Sequence, residues 1–341
     1  MLIISIMLHS KDIRERLKDI EEFLGEDYRS SREEKKRDWR TYEQQLGSRI
    51  KNAMLNLEPL IEEAVSTIQI SKGPGRPHEM TLKQRVTLLL VKELFGESNR
   101  MMSNMLLMFS LLSGIEVSYK TVERLYSDEE VELALHNLHI LILKKKGVKI
   151  SDATGDGTGY SLTISRHYAS DVEKRGEDAK AAETTKKGDG KRAFVYTFRL
   201  LDLRSWMYVA CGSSMKSEKG AFDRAMEMLG RTGILLASVR LDKYYSFPSY
   251  VDRFGEAKVY VIPRKNATLN GSWKWKHTMK EFVDETSDYL EEYYRREHSE
   301  AGFSADKRML GWGVAQRLPR RIDCALTCAG LWHNLLNLYP N

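Results

Sequence analysis

The sequence predicts an α/β protein: a mixed five-stranded sheet flanked by helices, preceded by an all-α N-terminal region with a helix-turn-helix-like part. Three observations carry this prediction. Apolar residues recur at three- and four-residue steps in runs through the first 146 positions, interrupted by the charged 29–40 and by the break at 71–78. At Val148 the period drops to two, and Val148, Ile150, Asp152, Thr154, Asp156, Thr158, Tyr160, Leu162 and Ile164 share one parity. Three strands then come in a row before helices and strands alternate.

The 341 residues can bury one large domain and a smaller one. A charged fraction of 30% and a hydrophobic fraction of 42% are ordinary for a soluble protein. The formal charge of +6 points mildly towards a polyanionic partner. Three cysteines are too few for a disulfide scaffold, which fits a reducing cytoplasm. Cys324 and Cys328 lie one helical turn apart with no histidine ladder nearby, so they read as buried thiols rather than zinc ligands. The apolar opening at 2–8 is too short to span a membrane and runs straight into Lys11-Asp12, so neither a membrane segment nor a signal peptide is expected.

In chain order, 1–71 reads as a charged helical segment, with Ile13, Leu17, Ile20 and Leu24 at helical spacing. The break Ser71-Lys-Gly-Pro-Gly-Arg-Pro-His78 opens a second helical region over 72–147. Arg76 in that break suits a DNA minor groove, and a plain linker suits the same residues. Helices are expected over 81–95 and 98–112, the second with methionines expected to pack in the core. A turn at Gly114 leads to a helix opening at Ser118, the outline of a helix-turn-helix whose exposed residues would include Lys120 and Arg124. A compact helical hairpin gives the same outline. The helix over 131–146 ends in three lysines and Gly147.

From 148 to 341 a catalytic domain is expected. Its strands are the long one from Val148, a hairpin over 193–211, then 234–241 and 258–262, with helices over 217–229, 247–254, 276–297 and 322–338. Three leading strands followed by alternation is the order of a ribonuclease H-like domain.

Three carboxylates occupy informative places in that order. Asp156 is on the first strand, Asp242 ends the fourth, and Glu300 lies in a charged C-terminal stretch. Sites in open α/β sheets form at the carboxyl ends of strands, and three carboxylates meeting there suit Mg²⁺ or Mn²⁺. Each also has a plainer use: Asp156 in a glycine-rich turn, Asp242 as a cap, Glu300 paired with Arg296. Around Glu300 the residues Tyr293, Arg296, Glu300 and Lys307 form a Y-x2-R-x3-E-x6-K pattern. In one continuous helix these steps put all four on one face, which suits a phosphate-holding surface or a solvated, ion-paired helix.

The chain resembles the DDE-type transposases of bacterial and archaeal insertion sequences, in the group whose catalytic glutamate lies in that pattern. Asp156-Gly-Thr-Gly159 is similar to the family's first D-x-T-G strand, and Asp242-Lys-Tyr-Tyr245 to its second aspartate trailed by an aromatic. The likeness covers about 72–338. It implies Asp156, Asp242 and Glu300 as catalytic metal ligands, with Tyr293, Arg296 and Lys307 on the DNA. Asp152-Ala-Thr-Gly155 is a second D-x-T-G of the same parity; Asp156 is preferred because the strand continues from it into Tyr160-Ser-Leu162. The interval from Asp242 to Glu300 has room for one strand and an approach helix, so the large β-rich insertion of some relatives is absent. Trp273 and Trp275, interleaved with lysines, suit either nucleic acid or the core.

The function expected from these features is metal-dependent cleavage of element ends and joining of their 3′ ends to target DNA. The partner would be double-stranded DNA, bound by a homo-oligomer. A ribonuclease H-like nuclease without strand transfer and a domesticated DNA-binding protein are the alternatives.

Overall fold

A computed structural model describes residues 8–27, 38–69, 79–96, 102–163 and 194–339. Arg76 lies outside them.

Local capping sets the N-terminal helices. After α1 (Ser10–Asp27), the Asp38 carboxylate accepts the N–H groups of Arg40 and Thr41 and opens α2 (Trp39–Val65). Thr81 and Gln84 form a reciprocal capping box for α3 (Leu82–Phe95). Helix α4 (Ser103–Ser113) ends at Gly114, and Ser118 caps α5 (Tyr119–Leu125) by accepting from Thr121 N–H. Helix α6 (Glu129–Lys146) has three acidic residues in its first turn and three lysines in its last, matching the helix dipole. Gly147 closes it at φ +80°, where a side chain would be strained.

The methionine expectation for α4 holds only in part. Met102 is buried, but Leu107, Met108 and Leu111 are exposed, so the outer side of this helix is not core.

The sheet is built on β1 (Ile150–Leu162), which β2 (Phe194–Asp202) joins antiparallel, followed by β3 (Tyr208–Ser214), also antiparallel. Helix α7 (Glu218–Thr232) then leads to β4 (Leu235–Leu241), parallel to β1 on its other side, and β5 (Lys258–Tyr260) adds parallel to β4. The order β3-β2-β1-β4-β5 is compatible with a ribonuclease H-like fold. A sixth, two-residue strand, β6 (Gly313–Val314), pairs with the far end of β1.

Beyond β4 come the short α8 (Pro248–Val251), then α9 (Trp273–Asp284), α10 (Thr286–Tyr294), α11 (Glu297–Leu310) and α12 (Pro319–Leu338). Helix α12 is apolar nearly all round because it is buried between the helical region and the sheet. Its Trp332 donates to the Leu90 carbonyl on α3 at 2.8 Å, and Asn334 pairs with both backbone polar groups of Tyr208 on β3. One continuous core therefore runs from α1 to the sheet.

Positions 293–307 do not form one helix. Helix α10 stops at Tyr294, Arg295 and Arg296 form a tight turn, and α11 starts at Glu297. The turn keeps near-helical backbone angles at Arg296 (φ −61°, ψ −24°).

Candidate active site

Alternation along β1 decides which side chains can meet α11. Thr154 donates to the Arg296 carbonyl at 3.4 Å, and Lys307 Nζ donates to Thr158 Oγ1 at 2.6 Å. Asp156 lies between these contacts on the same face, since side chains two apart share a side. Its cross-strand partner is Arg199. Glycines 155 and 157 turn to the opposite face, where Phe198, Glu218 and Tyr245 crowd them. Helix α11 therefore lies along β1, with Arg296 beside Thr154 and Lys307 beside Thr158.

Asp242 reaches the same place from β4. Its predecessor Leu241 is in parallel register with Gly155, so the strand end delivers Asp242 next to Asp156. One oxygen, Oδ2, accepts the Tyr244 N–H at 3.1 Å and caps the short 3-10 turn at 243–245. The other, Oδ1, is 3.5 Å from Arg296 Nη1. That same nitrogen is 3.2 Å from Glu300 Oε1. One guanidinium nitrogen thus faces two carboxylates from separate elements. Both plainer uses expected of these residues, the Asp242 cap and the Glu300–Arg296 pair, are present alongside this convergence.

Electrostatics tie in the third carboxylate. Burial pushes the Asp156 pKa up to about 6; the Gly157 N–H and Arg296 oppose the rise, while Asp242 and Glu300 add to it. At Arg296 burial disfavours the charge, but Tyr293, Asp242, Glu300 and Asp156 outweigh it and raise its pKa.

Asp152, the competing strand aspartate, is four residues back along β1, about 13 Å at the usual rise per residue. It accepts a hydrogen bond from Ser238, which in turn accepts from Arg240. Its parity matches that of Asp156, but its neighbours are structural partners.

The remaining signature residues are less open than one helix face would make them. Tyr293 is 4% exposed, with Arg296 5.7 Å from its ring centroid. Its ring is covered and offers no free face to a base. Lys307 is 9% exposed, its ammonium over the rings of Tyr160 (5.1 Å) and Trp312 (4.9 Å). Burial, then Arg199, lower its pKa. Lys120 and Arg124 are exposed on α5, whose Glu123 pairs with Arg321 of α12. Trp275 is core at 2% exposed, whereas Trp273 is 81% exposed. Cys324 and Cys328 are both buried and free.

Sequence reasoning missed the support beneath α11. Asp306 accepts from Arg199, from Tyr208 at 2.8 Å and, at 2.7 Å, meets His333 Nδ1. All four are buried and come from β2, β3, α11 and α12. No local pattern announces such a set, because its members are distant in sequence.

The sequence has a counterpart among known proteins. A protein of Archaeoglobus fulgidus named "Probable transposase for insertion sequence element ISA1214" is 44% identical over 287 residues, 84% of each chain. The chain belongs to the insertion-sequence transposases. No protein-family profile matches it. Among the described residues, no helix of this transposase is long and apolar enough to cross a membrane.

The donor chemistry of the site fits a hard divalent cation: three carboxylates, all oxygen donors, with the Asp156 charge disfavoured chiefly by burial. Arg296 bridges two of them, Asp242 and Glu300. Among the described residues, no three His, Cys, Asp or Glu side chains are gathered into a ready-made ligand cluster.

Proposed function

We propose that this transposase is of the DDE type, with a ribonuclease H-like catalytic domain. It binds the ends of its element, cleaves them and joins their 3′ ends to target DNA. The observation that carries this reading is the shared arginine nitrogen: Arg296 Nη1 lies within 3.5 Å of Asp242 and 3.2 Å of Glu300, and Asp156 feels all three groups.

In this reading Asp156, Asp242 and Glu300 hold Mg²⁺ or Mn²⁺. The ions, when bound, supply activation of a water or 3′-hydroxyl and charge balance at the leaving oxygen. The chain's own side chains do the positioning. Arg296 offers a guanidinium to a phosphate beside the carboxylates. Tyr293 lies beneath that guanidinium and orients it, rather than stacking on a base. Lys307, anchored by Thr158, adds a second positive charge on the same face of β1. Duplex DNA is gripped by Lys120 and Arg124, exposed on α5, and Arg76 adds a further phosphate contact. The protein acts in the cytoplasm as a homo-oligomer assembled on DNA.

The test is cleavage of duplex bearing the element's ends in Mg²⁺. Glu300→Gln and Asp156→Asn should each abolish it, while Asp152→Asn should leave substantial activity. Wild-type rates for Glu300→Gln would sink the proposal. Joining of a 3′-end oligonucleotide to plasmid separates strand transfer from simple nuclease action.

A further inference from the structure

Arg296 has two sets of suitors. In the free protein it is bound to Asp242 and Glu300, and its charge also acts on Asp156. The function proposed above asks the same guanidinium to hold a DNA phosphate, and asks the same carboxylates to hold a cation. These demands are mutually exclusive at one nitrogen. A divalent ion seated between Asp242 and Glu300 would stand close to a positive charge at a distance where repulsion is strong.

We infer that Arg296 is a built-in counter-ion that keeps the carboxylates neutralised until a DNA phosphodiester draws it away. This rests on the proposed function and deepens it: DNA loading and metal loading are coupled through one side chain. Four features of the structure favour an exchange over a permanent pair. The Asp242 contact is long, at 3.5 Å, and the Glu300 contact is a single 3.2 Å bond rather than a two-nitrogen fork. The Glu300 side chain is 59% exposed, so the pair is weakly held against solvent. Arg296 also sits at the turn between α10 and α11, where it can re-aim without moving either helix. Tyr293, beneath the guanidinium, provides a fixed surface for that re-aiming.

The consequence is reciprocal. If DNA phosphate removes Arg296 from the carboxylates, DNA must tighten metal binding, and metal must tighten DNA binding by the same factor. Without DNA the free enzyme is protected from loading a cation and attacking indiscriminately.

The experiment measures Mn²⁺ binding, not cleavage, by electron paramagnetic resonance of the free ion. Wild type, Arg296→Gln, Arg296→Lys, Asp156→Asn and Glu300→Gln are titrated with and without a random-sequence duplex oligonucleotide, with circular dichroism confirming the fold of each. Wild type should bind Mn²⁺ at least about tenfold tighter with DNA than without, the lower range of such couplings. Arg296→Gln should match the DNA-bound affinity without DNA and gain little when DNA is added. Arg296→Lys, a charge without the fork, should fall between. Wild-type or weaker Mn²⁺ affinity in DNA-free Arg296→Gln would overturn the inference while leaving the metal site intact, provided Asp156→Asn and Glu300→Gln lose binding. If those two carboxylate variants bind Mn²⁺ like wild type, the metal site and the inference fail together.

Discussion

Lys307 Nζ donates to Thr158 Oγ1 at 2.6 Å, fastening the far end of α11 to the central strand. The near end is fastened by Thr154, which donates to the Arg296 carbonyl at 3.4 Å. Glu300 lies between these two points, so its position against Asp156 is set by polar bonds to β1.

Removing one partner of a buried polar pair costs more than removing the charge that needs it. Thr158→Val should therefore destabilise the protein by about 1–3 kcal/mol, since the Lys307 ammonium is left without its acceptor. Lys307→Met should cost less in stability yet abolish turnover if Lys307 faces the DNA. Urea unfolding of both variants checks the order, and a smaller loss for Thr158→Val would refute it.

Asp156 supplies a pH dependence. Its pKa is raised from 3.8 to about 6 in the folded protein, chiefly by burial. Between these values the folded state binds more protons than the unfolded, so stability contributed here is full below pH 3.8 and declines towards pH 6. Above that the ionised, poorly solvated carboxylate remains a cost. Asp156→Asn should make the metal-free protein more stable at pH 8, by on the order of 1–3 kcal/mol, and the gain should vanish near pH 3.5. Melting curves at the two pH values decide it; an equal effect at both would contradict the burial argument.

The buried set around Asp306 should be intolerant of losing its cation. Burial works against the Asp306 charge, but His333, Arg199 and Tyr208 outweigh it and keep its pKa low. Arg199→Met leaves a buried carboxylate short of a partner, and a loss of roughly 3–5 kcal/mol follows. Denaturant titration that finds less than about 1 kcal/mol would show that His333 alone suffices.

Two glycines should respond with opposite signs. Gly47 is inside α2, exposed, with nothing within 4 Å of an added Cβ. Gly47→Ala should stabilise by about 0.5–1 kcal/mol through helix propensity. Gly212 on β3 is where α7 touches the sheet, and an added Cβ would collide with the backbone of Ala221 and Ala225. Gly212→Ala should yield a protein that melts far lower or does not fold. Thermal melts of the pair give the comparison directly.

Much of the architecture was legible because it is written in local signals. Period-two alternation from Val148 anticipated β1, and Ser217 and Gly147 anticipated a helix start and a helix end. What misled was continuity. The steps from Tyr293 to Lys307 satisfy a helix at every position, yet the helix breaks at Arg295-Arg296, and no glycine or proline marks the break. Likewise the α4 methionines satisfy a helical stripe, but burial depends on what packs against it, and Met108 is 62% exposed.

The division is physical. Residue order settles periodicity, caps and which side chains share a face of a strand or helix, because these depend on neighbours within about one turn. That much placed Asp156 on the first strand, Asp242 at the end of the fourth and Glu300 in the charged C-terminal stretch. Parity could not choose between Asp152 and Asp156, and the preference for Asp156 rested on its strand running on into Tyr160-Ser-Leu162. Tertiary structure separates them by register: Leu241 pairs with Gly155, which sets Asp242 beside Asp156, while Asp152 is left with Ser238. It also gave Arg296 to two carboxylates at once, a relationship between a turn, a strand end and a helix that no sequence interval encodes.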